Sequence, residues 1–162
     1  MSTQGAPERA APRLDFPAPR VLVIQAAYYD GVVHGMRDGA LGVLAEAGVP
    51  AEVADVAGAF ELPAALRIAL RSGLYGGFIV LGCVVRGETD HYDHICRESC
   101  RGIMDLTVET AAPVGFALLT VDTLAQAEAR SRPDRHNKGA EAARAMLMQL
   151  VLARRLDPEA AR

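Results

Sequence analysis

Lysine is almost missing from this chain. Sixteen arginines stand beside one lysine, Lys138, in 162 residues. Wherever a generic cation serves, the sequence uses Arg. The lone Lys marks either a place that needs a compact ammonium, for which a planar guanidinium is no substitute, or a chance survivor, and composition weighs the two evenly. Excess positive charge is missing too. The net charge is −3 and there is no basic stripe, which argues against nucleic acid as a partner. The longest apolar run, residues 78–85, is far too short to cross a membrane. No charged-then-apolar leader opens the chain, so the expected setting is cytoplasmic. Cys83, Cys96 and Cys100 are the three cysteines. An odd count with this spacing reads as reduced thiols used for packing. Metal-ligand patterns are also lacking. His91 and His94, with Asp90 and Asp93, offer a His-x-x-His spacing, but no Cys-x-x-Cys or His-Glu-x-x-His accompanies it. No metal is expected.

What the chain does contain is apolar mass. Hydrophobic residues make up 51% of it, enough for a single-domain core without cross-links. Residues 1–19, rich in Ala, Pro and charge, read as a loosely ordered tail; residues 20–156 form the domain, and 157–162 a short C-terminal tail. Within the domain, strands and helices alternate. Residues 21–25 form a strand. Residues 31–47 form a helix, with Asp30 as N-cap and Gly48 as its stop. Residues 51–56 form a strand. A helix starts near Pro63 and ends at Gly73. Residues 78–85 are apolar on both faces, as an interior parallel strand must be. Residues 91–110 form a helix, 114–120 a strand, and 138–155 a last helix with Ala142, Met146, Leu147, Leu150 and Val151 at helical spacing. Between these, Thr123 and Gln126 form a capping box for a short helix that Pro133 ends. The alternation predicts an α/β fold: a four-stranded, mainly parallel sheet in a three-layer α/β/α sandwich. So small a sheet leaves helices short of partners, and self-association is expected.

Chemistry concentrates at the strand-to-helix junctions, which a parallel sheet brings to one edge. They are Tyr28-Tyr29-Asp30, Gly58-Ala-Phe-Glu-Leu-Pro63, Gly87-Glu-Thr-Asp-His91 and Thr120-Val-Asp-Thr123. Aromatics (Tyr28, Tyr29, Phe60) beside a carboxylate (Glu61) suit a flat heterocycle bearing N–H donors. Taken alone, Phe60 reads as core packing, and Glu61 as a helix N-terminal charge worth about 0.3–1 kcal/mol. Their joint placement between Gly58 and Pro63 favours a site. The Gly87–His91 turn lets backbone approach an anion at a helix start. It is not a Walker loop, since no Gly-Lys-Ser/Thr follows. A phosphate site there needs an arginine from elsewhere. Arg130 and Lys138 flank a loop holding Arg132, Arg135 and His136, which on charge alone reads as a solvated basic loop. His91 at the helix start suits a general base. Lys138, beside Asn137 and Gly139 at a helix start, does not read as the desolvated pocket that Schiff-base chemistry requires.

These residues resemble the lumazine synthase family over roughly residues 20–155. The resemblance rests on Gly58-Ala-Phe-Glu-Leu-Pro63, on Leu81-Gly-Cys-Val-Val-Arg-Gly-Glu-Thr-Asp-His-Tyr-Asp93, on Pro113-Val-Gly-Phe116 running to Leu119-Thr120, and on Gln126-Ala127 before Arg130 with Asn137-Lys-Gly139. Four ordered motifs at matching spacing make a specific signal. The resemblance implies a flavodoxin-like sheet. It implies a transferase that condenses 5-amino-6-(D-ribitylamino)uracil with 3,4-dihydroxy-2-butanone 4-phosphate, in riboflavin synthesis, without redox cofactor or metal. It implies that Tyr28 stacks on the pyrimidine and that Ala59, Phe60 and Glu61 bind the ribitylaminouracil with Cys83, Val84 and Val85. Glu88, Thr89 and Arg130 would hold phosphate, and His91 would transfer protons. Phe116, Arg130 and a supporting Lys138 would come from the adjacent subunit of a homopentamer, or of an assembly of pentamers. Two departures stand out: Ala27 replaces an arginine common before the stacking aromatic, and the 131–137 loop lacks the glycines of many shell-forming relatives. A non-catalytic lumazine- or flavin-binding module is the alternative, and it would be marked by loss of His91 or Arg130. A response-regulator-like domain would need acidic residues where Gln25-Ala26-Ala27 and Leu81-Gly-Cys83 stand.

Overall fold

The computed structural model describes residues 10–156. Four strands, β1 (Val21–Ala26), β2 (Ala51–Val56), β3 (Gly77–Val85) and β4 (Val114–Val121), form one sheet in the order β2-β1-β3-β4, parallel at every pairing. Five helices connect or follow them: α1 (Asp30–Glu46), α2 (Leu62–Ser72), α3 (His91–Thr110), α4 (Leu124–Glu128) and α5 (Lys138–Leu156). The three-layer sandwich expected from the alternation is therefore present, with every strand pairing parallel. β1 is buried along its whole length and β3 along all but its last two residues, which is why neither shows a polar alternation. β2 is an edge strand with half of its residues exposed, which explains its weak alternation.

Period-2 side-chain alternation sorts the apolar residues into two cores. Val21, Val23, Ile79, Leu81, Ala117 and Leu119 face α1 and α5. Leu22, Ile24, Phe78, Val80, Val114 and Leu118 face α2 and α3. Residues 1–9 and 157–162 of the expected tails lie outside the described residues. Residues 10–19 form no helix or strand, yet Ala11, Leu14, Phe16 and Ala18 pack against the α1/α5 core.

Three local expectations need correction. Asp30 is not an N-cap: it already has helical dihedrals, Tyr29 occupies the cap position, and the Asp30 carboxylate accepts only from the next amide, Gly31, at 2.7 Å. The capping box of α4 is split. Thr123 Oγ1 accepts from the Gln126 amide at 3.3 Å, but Gln126 Oε1 accepts from the Asp122 amide at 2.9 Å, one residue beyond the expected one. Pro133 does not end α4, which stops at Glu128 with Ala129 as its C-cap. The stops at Gly48 and Gly73 are as expected, both with left-handed φ, 69° and 66°.

α5 packs on α1 unusually closely because its second residue is Gly139. A Cβ there would overlap the Met36 carbonyl oxygen. This approach carries the start of α5 under the loop that precedes it.

Candidate active site

The carboxyl ends of β1, β2 and β3 deliver the predicted residues to one edge of the sheet. Tyr28 lies in a single 3-10 turn (Ala27–Tyr29) that links β1 to α1. The residue is 78% exposed, and its ring meets that of Tyr29 edge-on with centroids 5.2 Å apart. Ala59, Phe60 and Glu61 form a matching 3-10 turn after β2, with Phe60 57% exposed. Two large aromatics left open at neighbouring strand ends are the kind of apolar surface that marks binding. Glu61 folds back over Gly58, whose missing Cβ leaves its carboxylate oxygen room. Buried Ser99 of α3 donates its hydroxyl to the Ala59 carbonyl at 2.9 Å, tying the Phe60 turn to the neighbouring helix. Sequence reasoning missed this anchor, because a lone Ser inside a helix carries no signal.

Cys83, Val84 and Val85 are the last three residues of β3 and pair with Leu119, Thr120 and Val121. They extend past Gly82, where the pairing with β1 ends at Ala26, so this backbone projects beyond its neighbour. The Cys83 thiol is buried and is pushed up to about 11 by desolvation. It is a neutral thiol at physiological pH and no nucleophile; burial raises Cys96 and Cys100 as well.

Glu88 and Thr89 occupy the exposed turn between β3 and α3, and exposed His91 is the first residue of that helix. Among the described residues, the amides of Glu88 and Thr89 donate to no protein acceptor. The dipole of a 20-residue helix points at the same place. An imidazole, a hydroxyl, open amides and two exposed aromatics thus share one edge.

Three predicted residues lie on β4 and at the ends of the loop after α4, on the far side of the sheet from the Phe60 turn. Phe116 lies in mid-β4 opposite Val80, five residues before the Val85–Val121 pair that closes the strand. That is about 16 Å from the carboxyl end. Arg130 and Lys138 bracket the loop between α4 and α5. The strand order puts β1 and β3 between the Phe60 turn and β4, a separation of about 14 Å.

The 130–138 loop is closed by Asn137, which is 2% exposed. Its Nδ2 donates to the carbonyls of Gly35, Ser131 and Arg132 at 2.9, 3.0 and 3.0 Å, and its Oδ1 accepts from the Ala140 amide at 3.0 Å. The Lys138 amide donates to the Arg130 carbonyl at 2.8 Å, and Arg130 Nη1 donates to the Gln126 carbonyl at 2.7 Å. Lys138 itself is a correction to the sequence reading. It is desolvated, at 3% exposure, and its ammonium is matched by both Glu141 oxygens at 2.5 and 2.7 Å. A buried charge needs such a partner. The pairing gives Lys138 a structural task under the loop.

Among the described residues no group of three or more His, Cys, Asp or Glu is arranged to hold a metal ion. No helix among them is long and apolar enough to cross a membrane.

Comparison with known proteins gives a single answer. The family model for 6,7-dimethyl-8-ribityllumazine synthase matches residues 18–154. A 6,7-dimethyl-8-ribityllumazine synthase of Methylobacterium radiotolerans is 47% identical over 138 residues, covering 85% of this chain and 84% of its own. One of Nitrobacter hamburgensis is 45% identical, covering 93% of this chain and 98% of its own. A third, 6,7-dimethyl-8-ribityllumazine synthase 1 of Rhodopseudomonas palustris, is 43% identical over the same shares, 93% and 98%. With its parallel four-stranded sandwich and a family match running nearly the length of the domain, the chain belongs to the 6,7-dimethyl-8-ribityllumazine synthase family.

Proposed function

We propose that this protein is a transferase that condenses 5-amino-6-(D-ribitylamino)uracil with 3,4-dihydroxy-2-butanone 4-phosphate to 6,7-dimethyl-8-ribityllumazine, the penultimate step of riboflavin synthesis. The observation that carries this reading is the convergence of Tyr28, Phe60, Glu61, Thr89 and His91 on one sheet edge. The pyrimidine stacks against Tyr28 and Phe60. Glu61 accepts hydrogen bonds from ring or ribityl groups, and Ala59 and the projecting Cys83–Val85 backbone complete the wall. Phosphate sits on the open amides of Glu88 and Thr89 and on the Thr89 hydroxyl, with Arg130 as its cation. The amine of one substrate attacks the ketone of the other, giving an imine between the two substrates. His91 moves the protons that accompany phosphate loss, and ring closure with dehydration follows. Orientation of two bound reactants supplies much of the rate.

The separation of Phe116 and Arg130 from the Phe60 turn supports a shared site, completed by these residues of an adjacent copy in a homopentamer or an assembly of pentamers. Lys138 supports that second half by holding the Arg130 loop.

The test is to mix purified protein with both substrates and follow lumazine fluorescence, with the native mass measured alongside. Product formation by an assembled oligomer is the expected result. Assembled protein that binds the heterocycle without turnover would replace the proposal with the binding-module reading. The Arg130→Ala variant is expected to raise KM for the phosphate-bearing substrate about ten- to hundredfold, as loss of a charge-assisted contact implies. Unchanged kinetics would remove Arg130 from the phosphate site.

A further inference from the structure

Between the last residue of β3 and the first turn of α3, Arg86 makes a three-way contact. Its Nε donates to Asp122 Oδ1 at 3.1 Å, just past the end of β4. Its two terminal nitrogens face the two oxygens of Asp93 in the first turn of α3, each at 3.4 Å. Its guanidinium carbon lies 4.1 Å from the centre of the Tyr92 ring. The Arg86 amide donates to the Val121 carbonyl at 2.8 Å. One side chain therefore joins the ends of two strands to the start of a helix. The chain between its contacts, Gly87 to His91, is the turn that carries Thr89 and His91.

The bonds within this cluster are exposed, with Arg86 46% and Asp93 48% accessible. Exposed pairs add little to global stability. A planar fork that meets a carboxylate face-on and stacks on a ring is, however, geometrically restrictive in a way a lysine is not. Hydrogen bonding to Asp93 is the main reason the guanidinium holds its proton more tightly than usual.

We propose that Arg86 is a positioning residue: through Asp93, Tyr92 and Asp122 it fixes the Gly87–His91 turn in the shape that receives the substrate phosphate. The inference rests on the reading of that turn given under Proposed function. It differs from a role for Arg86 as a second phosphate cation, and the two have opposite signs in one variant. Asp93→Asn removes a negative charge near the phosphate and frees Arg86. If Arg86 were a ligand, KM for the phosphate substrate would fall or stay level. If Arg86 is a clamp, that KM rises, by about three- to tenfold on the scale of small misplacements in a binding site.

The experiment measures steady-state kinetics for Asp93→Asn, Arg86→Lys and the double variant, with melting temperature and native mass as folding checks. Expected are a raised KM for the phosphate substrate in both single variants, little change in KM for the uracil, and a double variant no worse than the poorer single one. Overturning results are a level or lowered phosphate KM in Asp93→Asn, equal rises in both KM values, or multiplicative effects in the double variant. If the unmodified protein made no lumazine, the proposed function would fail first. In that case, protection of the protein against heat by inorganic phosphate, compared across the same variants, reads the clamp separately: equal protection in all of them overturns it.

Discussion

Replacing His91 with alanine lowers turnover by about 10²–10⁴-fold, the range that one positioned acid–base group contributes. The fold does not suffer, because His91 is an exposed side chain at the first position of α3 and fills no part of either core. In the proposed mechanism the condensation is not abolished, since stacking on Tyr28 and Phe60 and anchoring of the phosphate would still bring amine and ketone together. Kinetics of His91→Ala against the unmodified protein check this. KM values close to normal with a lower kcat support proton transfer, and loss of assembly or of both affinities would assign His91 a structural task.

The second large effect falls on Asn137. In Asn137→Leu, the carbonyls of half-buried Gly35, buried Ser131 and exposed Arg132 and the amide of buried Ala140 lose this side-chain partner together. The two buried groups, on Ser131 and Ala140, each cost about 1–3 kcal/mol when orphaned, while water reaches the other two; with relaxation, the expected loss is about 2–4 kcal/mol. For a chain of this size that corresponds to a melting temperature lower by on the order of 10 °C. Asn137→Asp is the sharper companion. It keeps an acceptor for the Ala140 amide but turns an acceptor-only carboxylate toward three carbonyls, so it should be no better than leucine. Scanning calorimetry of both variants decides the matter. A melting point near normal in Asn137→Asp would mean that the side-chain amide is not what closes the loop. Because the Lys138 amide holds the Arg130 carbonyl at 2.8 Å, the affinity for phosphate should fall in both.

What could be read in advance followed the range of the forces involved. Strands and helices were legible because their periodicity is local, and the junction motifs because Gly and Pro punctuate them at short spacing. The Asn137 closure was not legible. Its bond to Gly35 spans 102 residues, and the close approach of α5 and its preceding loop to α1, at Gly35, Gly39 and Gly139, makes room for it. The burial of Lys138 has the same origin: a helix start normally faces water, and here tertiary packing covers it. Arg86 escaped notice as one arginine among sixteen, since nothing local distinguishes a clamp from a solvated charge. The misjudged cap at Asp30 shows the limit even of local rules. The non-helical break falls one residue earlier, at Tyr29, the last residue of a 3-10 turn.

The lone lysine has a consequence outside catalysis. Lys138 is the only ε-amine in the sequence, and it is 3% exposed and locked to Glu141. Acylating reagents, aldehydes, sugars that glycate, and enzymes that acetylate or conjugate lysine all require a free, unprotonated, reachable amine. The folded chain presents none of its own side chains to them. Its surface cations are guanidiniums, which bind anions as well and react far less readily. Under the proposed function the chain works beside a reactive dihydroxyketone, and it is thereby spared the commonest site of carbonyl damage.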